Sequence, residues 1–265
     1  MVDRFGRNID YLRVSVTDRC NLRCAYCMPA DPTFVPDEEL LSFNEIVEVV
    51  RLAAERGVTK VRLTGGEPLL RPNVEVLVAR LADIPGIEDL AMSTNGTLLA
   101  GRAQALAAAG LCRVNVSMDA VRPERYEAVT GGGDVRQALA GIAAAVAAGL
   151  TPVKLNCVVK RSSSEPDAQD VRAFARRHGL EVRFIREMSL SEGRFSVVEG
   201  GSGGDCRHCS RLRLLSNGMV RPCLFSDVAF SVRRLGPAQA LEQAINHKPQ
   251  RGTRCTRTWM YAIGG

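Results

Sequence analysis

The sequence predicts an α/β fold in which an open, mostly parallel sheet forms an incomplete barrel and a small section follows it. Three observations predict this fold. The chain has 265 residues, of which 46% are hydrophobic and 24% charged, as is typical of a folded globular protein. Strand-like and helix-like segments alternate from Tyr11 to about Met188. After Met188 the alternation stops, and the chain becomes rich in Gly, Ser and Glu.

The alternating part contains about six strand–helix units joined by short loops. The expected strands are 12–17, 58–63, 87–92, 111–117, 153–159 and 181–187, and the expected helices are 42–56, 72–82, 98–109, 135–148 and 167–178. Ser42 followed by Glu45 predicts a capping box, and Pro72 suits the start of a helix. Six units are too few for a closed eight-fold barrel, so we expect a TIM-like partial (β/α)6 barrel with its active site at the carboxyl ends of the strands.

Residues 189–265 are predicted to form a second, small domain after the barrel domain of residues 1–188. Residues 189–205 resemble a linker, and residues 211–222 predict a hairpin that turns at Asn217-Gly218. One helix is expected near 237–246. This section is too small to build a core of its own, so we expect it to depend on a metal or on packing against the barrel.

Composition excludes several classes of protein. No run of about 18 apolar residues is present, which excludes a transmembrane helix. Residues 1–10 are polar and charged, unlike a secretory signal, so we expect a cytoplasmic protein. The net charge of +6, from 35 basic and 29 acidic residues, is modest and indicates either an anion site or a solvated surface.

The first cysteine cluster, Cys20, Cys24 and Cys27, follows the first predicted strand. In a reducing compartment, cysteines at this density are typical of zinc or iron–sulfur ligands rather than disulfides. A tetrahedral zinc site needs a fourth ligand, and no further Cys or His lies close in sequence. A cubane cluster with three cysteines leaves one iron open. Three incidental buried cysteines are the alternative.

This cluster, together with Gly65-Gly66-Glu67-Pro68 at the end of the second strand, resembles the radical S-adenosylmethionine (SAM) superfamily. The resemblance implies that Cys20, Cys24 and Cys27 hold a [4Fe–4S] cluster whose fourth iron takes the amino and carboxylate groups of SAM. Glycines allow close backbone approach to that amino group, and the carboxylate of Glu67 balances its positive charge.

Further matches lie at the ends of the third and fourth strands, in Ser93-Thr94-Asn95-Gly96 and in residues 115–119. Arg113, Asn115 and Ser117 share one strand face, and polar residues suit a barrel interior that holds a ligand. Taken singly, a Ser or Asn here is also a common loop cap, and Met188 is equally a core residue. The cofactor-binding residues that the resemblance implies are Tyr26, Gly65, Gly66, Glu67, Thr94, Asn95, Ser117 and Met188.

The second cysteine cluster is Cys206, Cys209 and Cys223. This spacing is typical of a zinc ribbon or of an iron–sulfur site. Candidates for a fourth ligand are His208, Cys255 or a bound substrate, although His208 lies inside the two-cysteine loop and is expected to be exposed.

Four segments resemble the GTP 3′,8-cyclase family of molybdenum-cofactor biosynthesis, a lyase family within the radical SAM superfamily. They are residues 10–19, 183–188, 209–225 and 263–265. The resemblance implies two [4Fe–4S] clusters, SAM, and conversion of GTP to (8S)-3′,8-cyclo-7,8-dihydroguanosine 5′-triphosphate. A 5′-deoxyadenosyl radical takes the 3′ hydrogen of GTP, and the C3′ radical attacks C8. A reductant protein such as flavodoxin or ferredoxin is the expected partner. Binding to a membrane or to a nucleic acid is not expected.

In that family the second cluster lacks a fourth cysteine and its open iron contacts guanine, which implies that Cys206, Cys209 and Cys223 are its ligands here. Charged residues on the inner face of a barrel are costly unless they meet an anion or each other. For a single strand arginine, a structural salt bridge is the alternative. The substrate-binding residues implied are Arg13, Lys60, Arg62, Lys154, Arg183, Arg211 and Arg213, and the catalytic residues implied are Arg211, Arg213, Gly264 and Gly265.

The sequence departs from that family in three places. Residues 189–203 are several tens of residues shorter than expected, Arg186 stands where Glu is common, and Cys255 is an extra cysteine near the tail. If Cys255 closes the second cluster, no iron remains for guanine. Two alternatives therefore stay open: another radical SAM enzyme that acts on a peptide, a sugar or a different nucleotide, and a non-catalytic metal-stabilised module for a partner such as RNA. An aromatic content of only 5% speaks against RNA. The remaining two cysteines, Cys112 and Cys157, are expected to face the helices.

Overall fold

The computed structural model describes residues 1–193, 195–256 and 259–264. The strands are β1 Tyr11–Ser15, β2 Lys60–Thr64, β3 Asp89–Thr94, β4 Arg113–Ser117, β5 Lys154–Val159, β6 Glu181–Arg186, β7 Arg211–Leu214, β8 Met219–Arg221 and β9 Phe230–Ser231. The helices are α1 Phe43–Ala54, α2 Val74–Ala82, α3 Ala103–Ala108, α4 Pro123–Thr130, α5 Val135–Ala147, α6 Pro166–Arg177, α7 Val232–Leu235 and α8 Pro237–Asn246.

All nine strands belong to one sheet in the order β6-β5-β4-β3-β2-β1-β7-β8-β9. Strands β1 to β7 are parallel, whereas β8 and β9 are antiparallel additions. Among the described residues β6 and β9 do not pair with each other, so the sheet stays open. The α/β class and the partial barrel predicted from the sequence are confirmed.

The two faces of the sheet differ in chemistry. Leu12 and Val14 of β1 are fully buried and pack with helix residues such as Ile46 and Val49 of α1 in the main hydrophobic core. Tyr11 and Arg13 point to the opposite face, because side chains alternate along a strand. Parallel sheets are normally apolar on both faces. A polar second face therefore indicates that something other than a helix occupies the interior.

Local patterns predicted the elements of the barrel well. Each of the six predicted strands lies within two residues of its observed bounds, and Ser42 and Glu45 form the predicted capping box at α1. The helix predicted to begin at Leu98 begins only at Ala103, after a series of turns, and Arg102 before it is not helical, with φ −124°. Helix α4 was missed because it is polar and buries only Tyr126 and Thr130.

The chain after Met188 returns to the barrel sheet. The predicted hairpin forms β7 and β8, and β7 pairs in parallel with β1. Helix α8 contributes Ala240 and Leu241 to the main core, as the expected packing against the barrel requires. The predicted linker is also packed, since Glu199 bridges to Phe184 of β6 and Val198 is buried. The two predicted units thus share one sheet.

Candidate active site

The first cysteine triad lies on the loop that leaves the carboxyl end of β1. Cys20, Cys24 and Cys27 are all partly buried, and a turn in which Cys27 and Met28 donate backbone hydrogen bonds to the carbonyl of Cys24 shapes the loop. Burial and the neighbouring acidic groups raise the pKa of all three thiols, that of Cys27 to about 12. Among the described residues no three His, Cys, Asp or Glu side chains are grouped to hold a single metal ion, so the assignment of these thiols to a cluster with one open iron stays a prediction.

A partly buried hydrogen bond ties the loop to the segment that follows β4. The hydroxyl of Tyr26 donates to Asp119 Oδ2 at 2.7 Å, and the backbone N–H of Val158 donates to Asp119 Oδ1 at 2.7 Å. Burial raises the pKa of Asp119 to about 6. Tyr26 was predicted as a cofactor-pocket residue, and its hydroxyl is seen here to fix the cysteine loop.

Gly65 and Gly66 follow β2 and pass very close to the loop after β1. A Cβ atom on Gly65 would lie 2.5 Å from the Thr17 carbonyl oxygen, and one on Gly66 would lie 2.3 Å from that of Arg19. Neither distance is compatible with a side chain, so both glycines are required by protein packing. This is a second reason for these glycines, in addition to the predicted approach of a cofactor.

Glu67 is completely buried beside the two glycines. Its carboxylate accepts hydrogen bonds from the Thr94 hydroxyl at 2.7 Å and from the Asn95 backbone at 2.7 Å. Burial nevertheless raises the pKa of Glu67 to about 7, and these hydrogen bonds offset only part of that effect. The side chain of Asn95 lies 3.9 Å from Cys20 Sγ, which links this carboxylate pocket to the first cysteine triad. The structure therefore brings together four of the predicted residues, namely Glu67, Thr94, Asn95 and Cys20.

Neither of the other two predicted cofactor residues forms a hydrogen bond with Glu67 among the described contacts. Ser117 ends β4 and is exposed at the mouth of the barrel, on the same face as Asn115. Met188 follows β6 and packs against a small second core that contains Phe225 and Ile263. Its surroundings match the core alternative considered from the sequence.

The inner face of the sheet carries the predicted basic residues. The strand register places Arg13 directly between Arg62 and Arg213, and Tyr11 beside Arg211. Arg62 and Arg213 are 7% and 9% exposed. Burial lowers the pKa of both guanidinium groups, that of Arg213 to about 10. Buried cations packed this closely need an anion among them.

Several buried polar atoms on this face lack a partner within the part of the chain that the structure describes. They are Tyr11 Oη, Arg62 Nε, Arg183 Nε, Ser93 Oγ, Asn115 Nδ2 and Asn156 Oδ1. Because a buried polar group without a hydrogen bond is costly, these atoms mark a surface built to contact a polar ligand. We call the inner-face set of Arg13, Arg62, Arg183, Arg211 and Arg213 the arginine ring.

The two lysines of the predicted substrate set differ from the arginine ring. Lys60 pairs with Asp10 at 2.8 Å, and its side chain is 48% exposed. Lys154 pairs with Glu181 at 2.5 Å and is 15% exposed. Both lysines therefore form salt bridges within the protein, which was the alternative to substrate binding.

Tyr11 is a site residue that the sequence argument missed. Burial alone would raise the pKa of Tyr11, but the guanidinium groups around it outweigh burial and lower the pKa. Its ring lies 5.6 Å from the guanidinium carbon of Arg62 and 5.5 Å from that of Arg211. Strand parity was the available clue, since Tyr11 shares a face with Arg13.

The C-terminal tail enters the barrel. The guanidinium of Arg213 donates to the carbonyls of Ile263 at 3.2 Å and Gly264 at 2.7 Å. A Cβ atom on Gly264 would lie 2.6 Å from the hydroxyl of Thr64 on β2. Gly265, the last predicted catalytic residue, lies outside the described residues. The tail is therefore held by Arg213, one residue of the arginine ring.

The second cysteine triad lies near the start of β7 and the end of β8. Cys206, Cys209 and Cys223 are each partly buried, and a buried lysine, Lys248, lies 3.6 Å from Cys209 Sγ. Burial raises the pKa of Cys209, but Lys248 and Arg211 outweigh it and lower the pKa overall. Within residues 1–193, 195–256 and 259–264, no group of three or more His, Cys, Asp or Glu side chains is arranged to hold a single metal ion.

The candidate fourth ligands lie in different surroundings. The side chain of His208 is 79% exposed and contacts Asp205 Oδ2 at 2.8 Å, as expected for a residue inside the loop. Cys255 is 3% exposed, and its sulfur accepts from Arg221 Nη1 at 3.4 Å. The role of Cys255 as a ligand of the second cluster stays a prediction.

The last two cysteines differ in burial. Cys157 is buried in the main core, as predicted. Cys112 is exposed just before β4, so the prediction that it faces the helices is wrong for this residue. The strand begins later than the parity argument assumed, at Arg113.

Comparison with known proteins agrees with this geometry. Residues 14–175 match the family model described as the radical SAM superfamily. The chain is 39% identical over 302 residues to the GTP 3′,8-cyclase of Petrotoga mobilis, with 94% of each chain covered. It is 42% identical over 326 residues to the GTP 3′,8-cyclase of Pelotomaculum thermopropionicum, with 100% of each chain covered.

Solved structures share the fold at low sequence identity. SuiB of Streptococcus suis, bound to its precursor peptide SuiA, matches with a TM-score of 0.73 and 14% identity over 96% of this chain and 68% of that one. The structure of anSMEcpe with bound AdoMet matches with a TM-score of 0.64 and 15% identity over 90% of this chain and 81% of that one. These likenesses concern the fold alone.

The predicted shortness of the chain is confirmed. The alignment with the Pelotomaculum protein spans 326 positions and covers this chain of 265 residues completely, so about 60 positions have no counterpart here. Along the described ranges, no helix has the length and apolar character that crossing a bilayer requires.

Proposed function

Because this chain belongs to the radical SAM superfamily, and within it to the GTP 3′,8-cyclase family, we propose that its arginine ring binds the triphosphate of GTP for cyclisation to (8S)-3′,8-cyclo-7,8-dihydroguanosine 5′-triphosphate. The observation that carries this proposal is the set of buried and partly buried arginines on the inner face, where Nε of Arg62 and of Arg183 has no partner among the described residues. A polyphosphate supplies both the charge and the acceptor oxygens that those groups need.

The cofactors of this family are SAM and [4Fe–4S] clusters, and the side chains present fit them. All nine cysteines are free of disulfides, and each triad offers three partly buried thiols. When bound, the cluster of the first triad supplies the electron that cleaves SAM. We propose that Cys20, Cys24 and Cys27 hold that cluster and that Cys206, Cys209 and Cys223 hold the second. The SAM pocket is lined by Gly65, Gly66, Glu67, Thr94, Asn95 and Ser117, with Tyr26 fixing the cysteine loop.

GTP is proposed to bind between the two triads. Arg211 and Arg213 lie on β7, which begins two residues after Cys209, so the arginine ring is continuous with the second triad. Phosphates held by the ring leave the guanine directed toward that triad and the ribose toward the first. Arg213 also donates a hydrogen bond to the carbonyl of Gly264, which supports a role for the tail beside the proposed triphosphate site. These contacts orient the reacting nucleotide and exclude water from it.

The division into residues 1–188 and 189–265 is retained as a functional one. The first unit supplies the SAM site, and the second supplies the auxiliary triad, β7 and the tail. Free cysteines and the need for a low-potential electron support a cytoplasmic protein served by a flavodoxin- or ferredoxin-type reductant.

The test is anaerobic turnover of the reconstituted chain. With iron and sulfide loaded, and with SAM, reductant and GTP present, we expect deoxyadenosine and a cyclised nucleotide in step with each other. The double variant Arg211→Ala with Arg213→Ala should weaken GTP binding while both clusters stay loaded. Arg233→Ala is the matched control, because Arg233 pairs with Glu45 on the outer surface. GTP affinity that is equal in all three proteins would overturn the assignment, and a loaded wild-type chain that yields no cyclised nucleotide would overturn the function.

A further inference from the structure

Lys248 is a completely buried lysine that touches the second cysteine triad. It follows α8, and it is only 1% exposed. Its ammonium group donates to the carbonyl of Arg211 at 2.6 Å, to the carbonyl of Pro222 at 2.8 Å and to Cys209 Sγ at 3.6 Å. An ammonium group has three protons, so each proton has one acceptor.

The three acceptors identify the charge partner of Lys248. Two of them are neutral carbonyls, and only the sulfur of Cys209 can carry a negative charge. A buried cation is stable when it is paired and hydrogen-bonded. The geometry therefore places the Lys248 ammonium beside the sulfur of Cys209, which is one of the predicted ligands of the second cluster.

The two carbonyls give Lys248 a second effect. Arg211 lies two residues after Cys209 at the start of β7, and Pro222 directly precedes Cys223 at the end of β8. One ammonium group thus fixes the distance between the two segments that carry these cysteines.

We propose that Lys248 is a positioning residue for the auxiliary cluster, the iron–sulfur cluster of Cys206, Cys209 and Cys223, and that its hydrogen bond to Cys209 raises the reduction potential of that cluster. The inference rests on the proposed function in one respect, that this triad holds a cluster. Reduction adds an electron, and hydrogen bonds to the ligand sulfurs and nearby positive charge stabilise the reduced form.

Arg7 provides a matched control at the same place. Its guanidinium donates to the carbonyls of Cys206 and Pro249, both at 2.7 Å, so it joins another residue of the triad to the residue that follows Lys248. It makes no hydrogen bond to a cysteine sulfur among the described contacts. Its charge is compensated by Asp3 at 2.6 Å. Removing Arg7 therefore loosens the structure around the triad without removing the sulfur contact.

The experiment is an EPR-monitored redox titration of the full chain with both clusters loaded. The first cluster is identified by the change in its spectrum when SAM is added, and the other spectrum belongs to the auxiliary cluster. In Lys248→Met we expect the equilibrium constant for reduction of the auxiliary cluster to fall about tenfold, a shift of about 59 mV for one electron. Lys248→Arg, which keeps the charge, should have a reduction potential close to that of the wild type. Arg7→Met should also leave the reduction potential of the auxiliary cluster near the wild-type value.

A potential that is equal in wild type and Lys248→Met, or an equal shift in Arg7→Met, would overturn the proposal. If Lys248→Met does not fold, Lys248→Gln takes its place in the same comparison, since it keeps a donor and loses the charge. The titration needs no GTP. Failure of the wild-type chain to convert GTP therefore counts against the proposed function, whereas an unchanged potential counts against Lys248.

Discussion

The docked tail leads to a prediction about a single methyl group, Gly264→Ala. Gly264 has a left-handed backbone with φ +65°, and an added Cβ would lie 2.6 Å from Thr64 Oγ1 and 3.3 Å from Ser15 Cβ. Both neighbours are buried, at 2% exposure each, so they have little room to move. The left-handed conformation costs a residue with a Cβ about 1–2 kcal/mol, and the close contact adds to that cost.

The interaction opposing this cost is the hydrogen bond from Arg213 to the Gly264 carbonyl at 2.7 Å. A hydrogen bond to a charged group contributes about 1.5–3 kcal/mol. The cost of the added methyl group is therefore similar to the free energy with which this hydrogen bond holds the end of the tail in place. We expect the docked fraction, and with it the kcat for the cyclised nucleotide, to fall roughly 5–30-fold.

The assay is anaerobic turnover with iron content and urea unfolding measured on the same protein. Gly179→Ala is the matched control, because Gly179 has φ +63° but no atom lies within 4 Å of the position that an added Cβ would take. It should lose about 1 kcal/mol of stability to the backbone conformation and keep full activity. The reasoning is refuted if Gly264→Ala turns over GTP within about twofold of wild type while Gly179→Ala shows its loss of stability.

Two further predictions concern buried groups. Because burial raises the pKa of Glu67 from its ordinary value of 4.5 to about 7, the folded apo-protein keeps a proton that the unfolded chain has lost between these values. The free energy of unfolding should therefore fall with rising pH across this window, by roughly 3 kcal/mol at most. Glu67→Gln should remove this part of the pH dependence, measured by urea unfolding at several pH values. An equal pH dependence in wild type and Glu67→Gln would contradict the prediction. Tyr11→Phe should raise the KM for GTP roughly 2–10-fold with little change in kcat, since it removes one neutral hydrogen bond. Tyr126→Phe is its control, because the Tyr126 hydroxyl is also buried without a described partner but lies in the main core, and an equal KM change in both variants would exclude the role of Tyr11.

The barrel was predictable because its determinants are local. Capping at Ser42, apolar alternation along β1 and β5, and the spacing of Cys20, Cys24 and Cys27 each act within a few residues. The family motifs then located the site, since they fall at strand ends that a parallel sheet brings to one edge.

The parts of the site that the sequence did not predict depend on contacts between residues far apart in the chain, which no local pattern encodes. Lys248 reaches Cys209 across 39 residues, and Arg7 reaches the carbonyl of Cys206 across 199. The separation of the two lysines from the arginine ring depends on where single acidic neighbours lie, such as Asp10 beside Lys60. Sequence parity places a side chain on a face but does not say which partner it finds there.

The pairing of β1 with β7 also fixes the order in which the chain can become functional during synthesis. Tyr11 pairs with Arg211, so the first strand waits for a partner that is made about 200 residues later. Until then β1 has one open edge, which is the kind of exposed strand that promotes aggregation. The loop of the first cysteine triad is complete long before this, whereas Arg13 gains its neighbour Arg213 only when β7 arrives. A nascent chain that has reached β6 therefore already carries Cys20, Cys24 and Cys27, but it still lacks β7 and with it Arg211 and Arg213 of the arginine ring.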